Sequence, residues 1–210
     1  MKANSIVKPD EQSISTVLDQ SESFSKRPRL EPIENPKGLT LRFLYWMAPR
    51  QFGKVPTNIK VLVTRVPKSM KLFSALGSFE TKGIRLEKEL HYMLSMFVAG
   101  ANGCGFCLDF GRMMAVKSNM GMEKFNALPA YRTSQLFSDK ERAALAYAEE
   151  VTRNRRVSDE TFDELRRYFG DQEIAEITIL IAVSNFENLL NIPLGIESDG
   201  LCAIAQSRKK

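Results

Sequence analysis

Asn102-Gly103-Cys104-Gly105-Phe106-Cys107 is the stretch around which the chain is organised. An apolar helical pattern runs into it: Leu86, Leu90, Met93, Leu94, Phe97, Val98 and Ala101 recur at helical spacing, which predicts an amphipathic helix over 84–101. Asn102-Gly103 breaks that helix. The two cysteines then open a second helical pattern that continues through Met113, Met114 and Val116 to Asn119. Two thiols at Cys-x-x-Cys spacing can close a small-ring disulfide and open it again. In the first turn of a helix, the partial positive charge there favours thiolate over thiol. The thiolate is the nucleophile in disulfide exchange and in attack on peroxides.

The rest of the chain is also punctuated as helices. Pro67 suits a first turn and Gly83 a stop, framing a helix over 68–81. Ser138-Asp139-Lys140-Glu141 has the capping-box form, followed by Ala143, Leu145, Ala146 and Ala148. Ser158 opens a further helix that Gly170 ends. The next, 172–191, is apolar almost all round and should be a buried central helix that Pro193 stops. No glycine-rich phosphate loop and no alternating strand–helix pattern is present, so the expected fold is all-α. Residues 60–67 are β-branched but short and isolated, and are taken as part of a helical N-terminal lobe. Residues 39–48, with Trp46 among seven large apolar side chains, should form a core or subunit-interface element. Residues 1–36, interrupted by four prolines and weakly periodic, read as a disordered tail ahead of one helical domain over 37–210.

The net charge of +5 in 210 residues comes partly from basic clusters at the two ends. No aromatic-interleaved basic stripe accompanies them, so nucleic acid is not an expected partner. No apolar run looks long enough to span a bilayer, and the first residues lack the apolar core of a signal peptide. Three cysteines do not make a disulfide framework, and a reducing cytoplasm is the expected compartment. There a Cys-x-x-Cys pair is redox-active, a metal half-site, or two core thiols. A zinc site would need Cys104, Cys107, Cys202 and His91 together, without a second paired motif. No metal and no cofactor is expected. A redox pair needs a proton relay, and the nearby candidates are Glu89, His91 and Tyr92 on the preceding helix and Asp109 two residues after Cys107.

From about 86 to 190 the chain resembles the carboxymuconolactone decarboxylase/alkylhydroperoxidase D-like family. The resemblance rests on the helix ending in Asn-Gly-Cys104-x-x-Cys107, the 141–148 helix, the 157–160 helix start and the apolar helix bearing Asn185 and Asn188. The ending 191–202 is similar to a longer, peroxidase-related branch. The resemblance implies a helical bundle that assembles into trimers or hexamers. It also implies reduction of hydroperoxides, or of a partner disulfide, through the Cys pair, with a peroxiredoxin or a dithiol such as lipoamide as redox partner. Redox members use a glutamate twelve residues before the first cysteine and a histidine four after the second; here those positions hold Tyr92 and Gly111. Two alternatives follow: a non-catalytic oligomeric binding protein of the same fold, and a lyase acting on a small lactone or acid, which would not need the cysteines.

Overall fold

A computed structural model of the chain describes residues 27–208. Most of the expected tail, residues 1–26, lies outside the described residues, as do 209 and 210. Residues 27–36 are tied to the body: Arg29 N–H donates to Leu194 O at 2.8 Å and Ile33 N–H to Lys60 O at 3.3 Å. Lys60 also pairs with Glu34 at 2.7 Å. The tail reading therefore does not extend to this stretch.

All regular structure among the described residues is helical. The α-helices are α1 (Leu39–Phe52), α2 (Ser69–Lys82), α3 (Lys88–Asn102), α4 (Gly105–Lys117), α5 (Met122–Asn126), α6 (Asp139–Asn154), α7 (Asp159–Arg166), α8 (Asp171–Asn191) and α9 (Leu201–Ser207). The β-branched stretch before α2 is a π-helical turn, Ile59–Val63, rather than a strand. The expected capping box opens α6. Ser138 Oγ accepts from the Glu141 N–H, and the Glu141 carboxylate accepts from the Ser138 N–H at 2.8 Å.

Two apolar clusters form the interior. The larger packs Met93, Leu94 and Phe97 of α3 against Leu145 of α6, Leu165 of α7, and Ile177, Leu180 and Ile181 of α8. Buried Glu176 on α8 accepts from the Arg85 N–H at 2.8 Å and fixes the start of α3. The smaller cluster joins Val61, Ala99, Cys104, Phe106, Met113, Ile196 and Leu201. It unites the N-terminal lobe, α4 and the C-terminal segment. Asp199 clasps the lobe, accepting from Thr57 N–H at 2.6 Å and Lys54 Nζ at 2.9 Å.

The central helix α8 differs from the expectation in one respect. Ile177, Leu180 and Ile181 are fully buried, yet Ile179, Phe186 and Leu189 face outward, Leu189 at 64% exposure. The segment Asp171–Leu194 is long and apolar enough to cross a membrane, which the sequence reading did not anticipate. Its inner face is packed in the bundle and it carries Glu176 and three asparagines at 185, 188 and 191. The N-terminal helix α1 shows the same outward excess: Leu39, Phe43 and Trp46 are exposed, while Leu41 and Ala48 are buried.

Candidate active site

The chain turns sharply between α3 and α4 because Gly103 adopts φ 71°, the left-handed conformation that ends α3. Cys104 follows as the N-cap of α4, and its sulfur accepts from the Cys107 N–H at 3.3 Å. Cys104 and Cys107 are joined by a disulfide, with Cα atoms 5.4 Å apart. Their surroundings differ. Cys104 is 1% exposed in the smaller core, whereas Cys107 is only partly buried. On reduction, the first-turn amides of α4 favour a thiolate at Cys104.

α8 supplies the polar wall. Asn191 Nδ2 donates to Cys107 Sγ at 3.4 Å and to Glu187 O at 3.1 Å. The Asn191 side-chain oxygen is buried with no protein partner. One turn earlier on α8, Asn188 and Asn185 both accept from Asn102 Nδ2, at 3.1 and 2.9 Å. Asn102 is the last residue of α3, so these bonds fix the entry to the cysteine turn. Glu187, one turn before Asn191, is the acid on this stretch of α8. Burial, then repulsion from Glu80 on α2, pushes its carboxyl up to about 7. Burial raises Glu80 as well. Over the other side of the turn lies Glu197: a Cβ on Gly105 would come within 2.7 Å of its Oε2. Glycine at 105 gives this carboxylate its room.

The relay candidates named from the sequence are scattered. Glu89 sits near the far end of α3, about 20 Å along the axis from its C-terminus. There it pairs with Lys124 at 3.6 Å, and Lys124 also holds Glu141 at 2.6 Å. His91 is on the same distant turn, its ring edge-on to Tyr92 at 5.5 Å between centroids, and burial lowers its pKa. Tyr92 packs on the main core. Asp109 is close to the cysteines but is spent on another task. Its Oδ2 accepts from Asp199 N–H at 3.1 Å and Leu201 N–H at 2.8 Å, and its Oδ1 from Cys202 N–H at 2.9 Å. Asp109 thus caps α9. Burial first, then the Asp109 charge, raises the Cys202 thiol. Gly111 faces Met96: a Cβ there would lie 2.6 Å from Met96 Cγ, so buried Met96 fills the room a side chain would need. Among the described residues no His, Cys, Asp or Glu cluster is grouped to hold a metal, and the Cys104, Cys107, Cys202, His91 zinc set is not assembled.

Asn191 and Glu187 are the residues that sequence reasoning passed over. Their signal was faint: polar side chains at 185, 188 and 191, three apart in an otherwise apolar helix, mark one face of α8.

Comparison with known proteins places this geometry in a lineage. The profile of the Carboxymuconolactone decarboxylase family matches residues 67–150. The uncharacterized protein YnjA of Escherichia coli K12 is 32% identical over 176 residues, covering 81% of this chain and 94% of YnjA. A solved protein of unknown function from Agrobacterium tumefaciens, described as an antioxidant-defence AhpD candidate, superposes with a TM-score of 0.61. It is 25% identical and covers 65% of this chain and 94% of its own. The debrominase Bmp8, solved as a cysteine-to-alanine variant with 2,3,4-tribromopyrrole, shares the fold with a TM-score of 0.71 at 22% identity, over 86% of this chain and 97% of its own. The profile match across the cysteine turn, the near full-length relationship to YnjA and the shared helical bundle together establish that the chain belongs to the carboxymuconolactone decarboxylase family, in its alkylhydroperoxidase D-like form.

Proposed function

We propose that the protein is a thiol-dependent antioxidant enzyme that reduces hydroperoxides, or a partner's disulfide, by cycling Cys104 and Cys107 between dithiol and disulfide. The carrying observation is the asymmetric pair on the first turn of α4: one sulfur sealed in the smaller core, the other partly open and touched by Asn191. Access makes Cys107 the sulfur that meets the substrate. Its thiolate attacks the distal peroxide oxygen, the O–O bond breaks, and the alkoxide leaves as an alcohol after taking a proton. The Cys104 thiolate, favoured by the helix terminus, then attacks the Cys107 sulfenic acid and displaces hydroxide, which takes a proton from solvent and leaves as water, and the disulfide remains. An external dithiol or a peroxiredoxin partner restores the pair. A reducing cytoplasm suits that cycle.

Intact-mass thiol counting tests this. The reduced protein is freed of reductant anaerobically, mixed with an organic hydroperoxide and quenched with an alkylating agent. Rapid loss of two labels with a Cys104–Cys107 disulfide is expected, and Cys104→Ser or Cys107→Ser should abolish turnover. Persistence of both free thiols would overturn the reading. Because Bmp8 shares the fold, 2,3,4-tribromopyrrole is a second electrophile to offer the reduced protein. The outward apolar side chains Leu39, Phe43 and Trp46 of α1 and Phe186 and Leu189 of α8 support assembly with further copies. Light scattering on the purified protein checks it, a trimer or hexamer being expected and a monomer refuting it.

A further inference from the structure

The positions that would hold the relay residues of redox family members are Tyr92 and Gly111, and the room beside Gly111 is filled by Met96. A proton must still leave the Cys107 thiol and another must reach the departing alkoxide. The observations that bear on this lie on α8. Asn191 is 4% exposed and its amide nitrogen touches both Cys107 Sγ and the Glu187 carbonyl. Its amide oxygen, on the same carbon, is an unpartnered buried acceptor, able to take a hydrogen bond from a protonated sulfur or a hydroperoxide O–H. Glu187 precedes Asn191 by one helical turn, which sets their Cβ atoms about 5–6 Å apart on one face.

We propose that Asn191 and Glu187 form the proton-handling face for Cys107: the Asn191 amide donates to the sulfur and holds it as thiolate, and the Glu187 carboxyl takes the thiol proton and returns it to the leaving alkoxide. The proposal rests on the cysteine-cycle reading above. In the balanced step, the Cys107 thiol gives its proton to the Glu187 carboxylate. The thiolate displaces alkoxide from the hydroperoxide and becomes the sulfenic acid. The Glu187 carboxylic acid protonates the alkoxide to the alcohol and is a carboxylate again. A general acid–base works best when its pKa lies near the operating pH, and burial with Glu80 nearby brings Glu187 there. The ionisable group that acts on the Glu187 carboxyl from a neighbouring element is Glu80 on α2, and Asn191 ties the Glu187 main-chain carbonyl to the Cys107 sulfur on α4.

The test reads thiol protonation directly. Reduced wild-type protein and the variants Asn191→Ala, Asn191→Ser, Glu187→Gln and Glu80→Gln are alkylated across acid to alkaline pH, and the rate at the Cys107 peptide is measured by mass spectrometry. Circular dichroism confirms that each variant is folded. Loss of a hydrogen bond to a charged sulfur should leave Asn191→Ala roughly tenfold slower at neutral pH, with its profile displaced to higher pH. The wild-type profile should show two steps, the lower belonging to Glu187, and Glu187→Gln should leave one. Glu80→Gln should move the lower step to lower pH. Wild-type profiles in Asn191→Ala and Asn191→Ser, or the lower step persisting in Glu187→Gln, would overturn the proposal. No hydroperoxide enters this measurement. A protein that titrates as described yet ignores hydroperoxide refutes the proposed function alone.

Discussion

Replacing Asp109 by alanine should unseat the C-terminal helix and leave the cysteine turn in place. The Asp109 side chain is 8% exposed and accepts three backbone N–H groups, from Asp199, Leu201 and Cys202. The Leu201 N–H lies in a fully buried bond at 2.8 Å, so its loss carries the whole desolvation cost, about 1–3 kcal/mol. The other two N–H groups are partly buried and can turn to water. Removing an aspartate cap costs about 0.5–2 kcal/mol in its own right. These ranges overlap, and the combined loss should be about 3 kcal/mol. Asp109→Asn keeps one acceptor for the Asp199 and Leu201 donors but faces its amide towards the Cys202 N–H, and should cost about half as much. Urea unfolding measures both losses. Alkylation of Cys202 supplies the local readout. Undocking of α9 exposes this thiol and removal of the Asp109 charge lowers its pKa, so labelling should accelerate in the alanine variant. Stability within about 0.5 kcal/mol of wild type, with unchanged Cys202 labelling, would refute the capping role. The same outcome with slowed oxidation of Cys107 would return Asp109 to the proton relay considered from the sequence.

Three further outcomes follow from the same geometry. Glu187 is held in its protonated form up to about 7 in the fold against 4.5 in the open chain. Its ionisation therefore removes stability as pH rises from about 4.5 through 7, by an upper limit of about 3 kcal/mol. Glu187→Gln should abolish that loss in urea melts at mildly acid and mildly alkaline pH, and parallel curves for the two proteins would contradict it. Gly111→His drives its Cβ to 2.6 Å from buried Met96 and should cost about 1–3 kcal/mol by thermal unfolding. Pairing it with Met96→Ala should recover part of the loss, and a fully stable single variant would show that the site has more room. Ser138→Ala removes one half of the α6 capping box and should cost about 1 kcal/mol in chemical denaturation, with no change in Cys107 alkylation.

What the sequence makes legible follows how local each interaction is. The α3 helix, the break at Gly103 and the start of α6 depend on residues within one or two turns, and there periodicity and capping agree with the structure. The partners of Asp109 lie 90 to 93 positions away. An aspartate near a helix start reads identically whether it caps a distant helix, complements its own dipole or moves protons. Asn191 reaches Cys107 across 84 positions, with the same consequence. Residues 27–36 read as tail because they are held by backbone bonds and by exposed pairs such as Lys60–Glu34, which need no apolar period. α8 shows the converse. Its composition announced burial on every side, yet the folded chain buries one face, with Ile174, Ile177, Leu180 and Ile181 continued by Ser184, Asn188 and Asn191, and leaves Ile179, Phe186 and Leu189 outside. Apolar composition reports that a surface wants cover and is silent on whether its own chain provides it.

The two departures from the redox-family pattern are joined through packing. A residue at 111 larger than glycine would displace Met96, which belongs to the same α3 face as Tyr92, four residues earlier. Methionine in that gap and glycine opposite it are complementary, so reinstating the histidine alone gives a clash and no relay. Reinstating the glutamate at 92 alone would place a partly buried acid against the main core with no histidine at 111. The α3–α4 interface beside Gly111 is thereby filled by Met96. The proposed proton route at Cys107 runs along α8 instead, where Asn191 meets the sulfur and Glu187 stands one turn behind it. The cysteine turn keeps its helix terminus and its asymmetric burial, and the proposal assigns its proton handling to α8.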